Sequence, residues 1–101
     1  MGKMRKVRDI LMSANRRDME DMERALQEAK VVAQIKADYV RDLARVCVET
    51  ASALMSSLYN DDFGMAERMS AILLQNAEDT VAKARELRDD LGEIERFRRG
   101  Y

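Results

Sequence analysis

The stretch "SSLYNDDFGMAERM", residues 56–69, decides how this chain folds, because a long helical pattern stops and restarts there. Asn60 suits the left-handed residue that ends a helix. Asp61, Asp62 or Gly64 can cap the next one, with Glu67 three residues past Gly64 as a capping-box partner. So short a break returns the chain antiparallel to itself. The expectation is a helical hairpin turning at residues 60–63.

Upstream, residues 16–59 contain neither Gly nor Pro and are rich in strong helix formers. Val40, Leu43, Cys47, Ala51, Leu54 and Leu58 recur at the helical period, as do Met19, Met22, Leu26, Ala29 and Ala33; Lys36 interrupts the two runs. At the rise of an α-helix this element would be about 65 Å long. Downstream, residues 64–99 carry Leu73, Ala77, Thr80, Ala84, Leu87, Leu91 and Ile94 in alternating steps of four and three, a heptad pattern of the coiled-coil type. Gly100 is placed as a C-terminal cap, and Gly92 costs about 1 kcal/mol inside a helix. The implied register sets Leu54 near Met69, Cys47 near Ala77, Val40 near Ala84, Ala33 near Leu91 and Leu26 near Arg98.

The segment "KMRKVRDILMSANRR", residues 3–17, offers Val7, Ile10, Leu11 and Ala14 as a short amphipathic face. Asn15 followed by Asp18 resembles a capping box, with Ala14 and Met19 placed as a staple. A short helix within residues 1–15 is expected, followed by a break near residues 13–15.

One seam does not use up the apolar residues. The long helix has a second stripe of Val32, Ile35, Tyr39, Leu43, Val46 and Ala53, and the second helix keeps Ile72, Leu74, Val81 and Phe97 off its seam. Two helices cannot bury faces this broad, and exposed aliphatic stripes mark interfaces. The fold class is therefore all-α: a long antiparallel, coiled-coil-like hairpin with a short N-terminal helix, completed to a four-helix bundle by dimerisation; the alternative is a hairpin completed by the N-terminal segment or by a different protein. Val32, Ile35, Tyr39 and Val46 form the expected dimer interface.

Composition narrows the function. One domain suits 101 residues, and 37% charged residues without proline suit solvated helices. A net charge of −1 provides no overall field for nucleic acid or membrane. The longest uncharged run, residues 50–60, is too short and too rich in Ser and Ala to span a bilayer. The N-terminus matches neither a secretory signal nor a myristoylation motif. Cys47 is the single cysteine, which fits a packed thiol in a reducing cytoplasm. With no histidine and one cysteine, histidine-based catalysis and a typical structural zinc site are excluded, and no phosphate-binding glycine loop is present. The carboxylates of "DMEDME", residues 18–23, read as a solvated face complementing a helix N-terminus. No enzyme, cofactor or metal is expected.

Charge is nevertheless segregated. Residues 1–17 carry six basic side chains against Asp9, while residues 18–28 carry five acidic ones against Arg24. Hairpin pairing brings Lys3, Arg5, Lys6 and Arg8 to the same end as Arg96, Arg98 and Arg99, a basic tip. Its functional reading is a nucleic-acid-associated regulator; the alternative is ordinary solubilising charge at a helix C-terminus. Eight methionines are many for this length, and Met12, Met19 and Met22 cluster beside Arg16 and Arg17. Flexible apolar anchors within a charged rim have the anatomy of a helix-in-groove contact. The reading that accounts for most residues is a non-enzymatic adaptor, assembly factor or inhibitor, homodimeric and cytoplasmic, that binds another protein through Met12, Arg16, Arg17, Met19 and Met22.

Overall fold

The computed structural model describes residues 5–100; Lys3 of the expected basic tip lies outside them. Three helices make up the fold: α1, Val7–Met12; α2, Met19–Tyr59; and α3, Phe63–Arg98.

Local side chains set each boundary. Ser13 stops α1: its N–H bonds the Asp9 carbonyl at 3.1 Å and its hydroxyl the Ile10 carbonyl at 2.9 Å. Asn15 does not cap α2 as expected; its side chain instead accepts the Arg17 N–H at 3.0 Å, an Asx turn within the connection. The cap is Asp18, whose Oδ1 accepts the N–H groups of Glu20 at 3.0 Å and Asp21 at 3.4 Å, so α2 begins later than residue 16. The Asp21 carboxylate reaches back to the Asn15 N–H, tying the connection to the first turn of α2.

The α2–α3 turn is a Schellman motif. The Asp62 N–H bonds the Ser57 carbonyl at 2.8 Å and the Asp61 N–H bonds the Leu58 carbonyl at 3.2 Å. Asp61, at φ 55°, is the left-handed residue, one position later than the expected Asn60. Asp62 then caps α3 by accepting the Met65 N–H at 3.0 Å. Met65 therefore sits third in the helix, where a capping box needs Glu or Gln, and Glu67 plays no such part. Gly100, at φ 76°, closes α3 by donating its N–H to the Phe97 carbonyl at 3.0 Å.

The chain divides into two compact units: Met1–Ala37 with Arg85–Tyr101, and Asp38–Ala84. The first holds the hydrophobic core. Val7, Ile10 and Leu11 of α1, all at most 2% exposed, pack with Ala25, Ala29 and Val32 of α2 and Phe97 of α3. Ala14, Met22, Leu26 and Ile94 close around them. Beside this core Lys36 Nζ meets Asp90 Oδ2 at 2.6 Å, both side chains largely covered. The interruption that Lys36 makes in the apolar pattern is thus an interhelical ion pair.

The second unit is built differently. Its buried side chains are Thr50, Ser57 and Ala66. Thr50 Oγ1 donates to the Val46 carbonyl at 2.8 Å and accepts from Asn76 Nδ2 at 3.4 Å, while Cys47 Sγ lies 3.7 Å from Thr80 Oγ1. Leu43, Leu54 and Leu73 are half-buried. The expected α3 seam holds at Leu73, Ala77, Thr80, Leu87 and Ile94, all half-buried, and is corrected at Ala84 and Leu91. Asn76 and Lys83 in this unit, and Asp90 in the first, are half-buried at heptad positions one residue earlier, whereas Ala84 and Leu91 are exposed. Polar partners on α2, Thr50 and Lys36, set that phase.

Candidate functional site

An open, mostly apolar groove lies in the first unit. Leu26, Ala33 and Ala37 of α2 form one wall and Leu87, Leu91 and Ile94 of α3 the other, enclosing about 470 Å³. Ala33 and Ala37 lie one turn apart, so the small side chains fall together and leave space between the backbones. The α3 phase that turns Asp90 toward Lys36 leaves Leu91 50% exposed at the groove. Glu23, Gln27, Lys30 and Gln34 border it along α2, with Arg98 on α3. The sequence carried this signal in the Ala33–Ala37 spacing beside Leu91, but assigning Leu91 to the hairpin seam hid it.

A second opening of about 530 Å³ is polar, lined by Arg8, Met12, Arg16, Glu93 and Arg96. The Arg16 guanidinium stands 5.3 Å above the centre of the Phe97 ring, a cation–π contact. Met12 is 67% and Met19 70% exposed, and Arg17 is also exposed. Met22, grouped with them in the sequence reading, is half-buried against the core.

The expected dimer stripe is also divided. Val32 is 5% exposed and belongs to the core beneath α1, so it is not available to another chain. Ile35 at 46%, Tyr39 at 51% and Val46 at 42% remain exposed. Lys83 Nζ lies 5.7 Å from the centre of the Tyr39 ring.

Most described arginines of the basic tip stand beside carboxylates. Arg5 lies 3.6 Å from Glu28, Arg96 2.8 Å from Glu93, and Arg98 and Arg99 lie 3.2 and 3.0 Å from Glu95. Hydrogen bonds from Arg98, then its positive charge, then a hydrogen bond from Arg99 hold the Glu95 carboxyl below its ordinary pKa, and Glu95 raises that of Arg98. Lys6 and Arg8 are exposed. Among the described residues no group of three or more Cys, Asp or Glu side chains gathers as a metal site, and no helix is long and apolar enough to cross a membrane. No family model, curated protein or solved structure matches the chain.

Proposed function

We propose that this protein is a non-enzymatic, cytoplasmic interaction module, an adaptor, assembly factor or inhibitor, that works as a homodimer and presents helical surface to a larger protein. One observation carries the reading: each unit leaves large apolar side chains outside while polar groups occupy part of its helix–helix contact. In the second unit Val46, Val48, Met55, Leu58, Ile72, Leu74 and Val81 are exposed beside buried Thr50 and Ser57. At about 25 cal/mol per Å² of apolar surface kept in water, that arrangement is favoured only when another surface covers it.

Met12 and Met19, flanked by Arg16 and Arg17, supply the partner-binding end, the methionines as adaptable anchors and the arginines as steering charge. Light scattering tests the dimer: the unaltered chain runs at twice 11.6 kDa, and Ile35→Asp with Val46→Asp lowers that mass. A monomer whose mass and melting are untouched by both changes refutes the reading.

A further inference from the structure

We infer that the opening lined by Arg8, Met12, Arg16, Glu93 and Arg96 is a recognition site for a phosphorylated side chain of a protein partner. The inference rests on the partner-binding end proposed above and names the chemistry that end selects.

The five residues come from three segments of the first unit: Arg8 and Met12 from α1, Arg16 from the connection, and Glu93 and Arg96 from α3. Arg8 and Met12 stand one turn apart on one face of α1, and the burial of Val7, Ile10 and Leu11 keeps that face in solvent. Three guanidiniums against one carboxylate leave the lining a net positive charge of two. Two of the three are held in place. The Phe97 ring, itself buried in the core, lies 5.3 Å beneath Arg16. Arg96 Nη2 donates to Glu93 Oε1 at 2.8 Å, and its Nη1 lies over Gly92, where a Cβ would stand only 3.4 Å away. The third, Arg8, is exposed and its side chain has no ion pair or hydrogen bond among the described residues. Donors already held in position lose less freedom when a ligand arrives.

A phosphate monoester carries nearly two negative charges at neutral pH and three acceptor oxygens, which matches both the net charge and the number of guanidiniums. Arginine also meets phosphate oxygens in pairs through its planar fork. A single carboxylate brings about half the charge and one oxygen fewer. Met12, 67% exposed at the same opening, supplies an adaptable apolar contact for the residue beside the phosphate. A nucleic acid would instead need cations continuing along its backbone. Here Arg5 lies 3.6 Å from Glu28, and Arg98 and Arg99 lie 3.2 and 3.0 Å from Glu95. Those carboxylates repel a second and a third phosphate, so the site suits one phosphate on a protein.

An NMR titration of the full chain tests this, following arginine Nε–H and methionine methyl signals. The probe is a capped peptide with one phosphoserine between leucines; its glutamate counterpart and an oligothymidylate are run beside it. The phosphopeptide is expected to shift Arg8, Arg16, Arg96 and Met12 together and saturably, and the glutamate peptide to bind roughly tenfold more weakly. Arg8→Gln and Arg16→Gln should each weaken the phosphopeptide roughly threefold to fivefold. Arg88→Gln, which removes the same charge from an exposed position of α3 outside the opening, should leave binding unchanged. Arg8 has no side-chain partner to lose, so its variant stays decisive even where Arg16→Gln loosens the Phe97 contact. Equal binding of the two peptides overturns the phosphate assignment, and an equal loss in Arg8→Gln and Arg88→Gln overturns the site. An oligothymidylate that binds more tightly than the phosphopeptide and also shifts Arg5, Arg98 and Arg99 overturns the choice of a protein partner. A chain that binds the phosphopeptide through these arginines but stays monomeric supports the site while removing the homodimer. A homodimer whose arginines ignore the phosphopeptide overturns the site alone.

Discussion

Single residues fix where this chain turns, and two of them sit at a cost. Asp61 holds a positive φ that an L-residue adopts at roughly 1 kcal/mol or more, so Asp61→Gly is expected to stabilise the fold by about 1 kcal/mol in chemical denaturation, and Asp61→Ala to destabilise it. Gly92 is its opposite, a glycine inside a helix. A Cβ there meets only the end of the Arg96 side chain, at 3.4 Å, so Gly92→Ala is expected to gain about 1 kcal/mol. Glu95 shows the sign of an acid effect. A carboxyl whose pKa is lower in the folded state contributes stability above its unfolded value and loses it as pH falls through the folded one. Melting of Glu95→Gln should therefore differ from the unaltered chain near neutral pH and converge with it in acid. The sequence showed that a turn lies in "NDDFG", since every residue there suits one. Which of Asn60 and Asp61 is left-handed depends on how α2 completes its last turn, and composition does not encode that.

At the scale of elements, the three helices follow from periodicity and breakers, whereas the rotation of α3 does not. Ala77, Ala84 and Leu91 form the more apolar heptad phase, yet of the three only Ala77 is half-buried, whereas Asn76, Lys83 and Asp90 one residue earlier all are. Hydrophobicity alone ranks these phases in the wrong order; the polar groups of Thr50 and Lys36 on α2 require partners, and Asn76 and Asp90 supply them. A double-mutant cycle tests the Lys36–Asp90 pair. Removing either partner should cost about 2 kcal/mol, because the other is left largely covered without its bond, while Lys36→Met with Asp90→Leu should cost less than the sum. The folding back of α1 was open to the sequence only as the alternative to dimerisation. Its face of Val7, Ile10 and Leu11 was legible, but not that it would take Val32 and Met22 from the expected interfaces. Ile10→Ala or Leu11→Ala should lose about 2–5 kcal/mol in denaturant titration, and Met22→Asp should destabilise the chain where Met19→Asp does not.

For the molecule as a whole, the balance of covered and uncovered surface governs function. One unit has a core built by three helices and an apolar groove beside it; the other has threonine, serine and alanine as its buried side chains and its large aliphatics outside. The sequence revealed the surplus of apolar stripes, because the count of aliphatic positions exceeds what one hairpin seam uses. It did not reveal the groove, which exists only once the phase of α3 is known. The central claim is that a second copy covers the outward aliphatics. The most direct measurement is sedimentation equilibrium of the unaltered chain over a wide concentration range. The account predicts a mass of twice 11.6 kDa that falls on dilution, together with a melting temperature that rises with concentration. A constant mass of 11.6 kDa, with a cooperative melt independent of concentration, would contradict it.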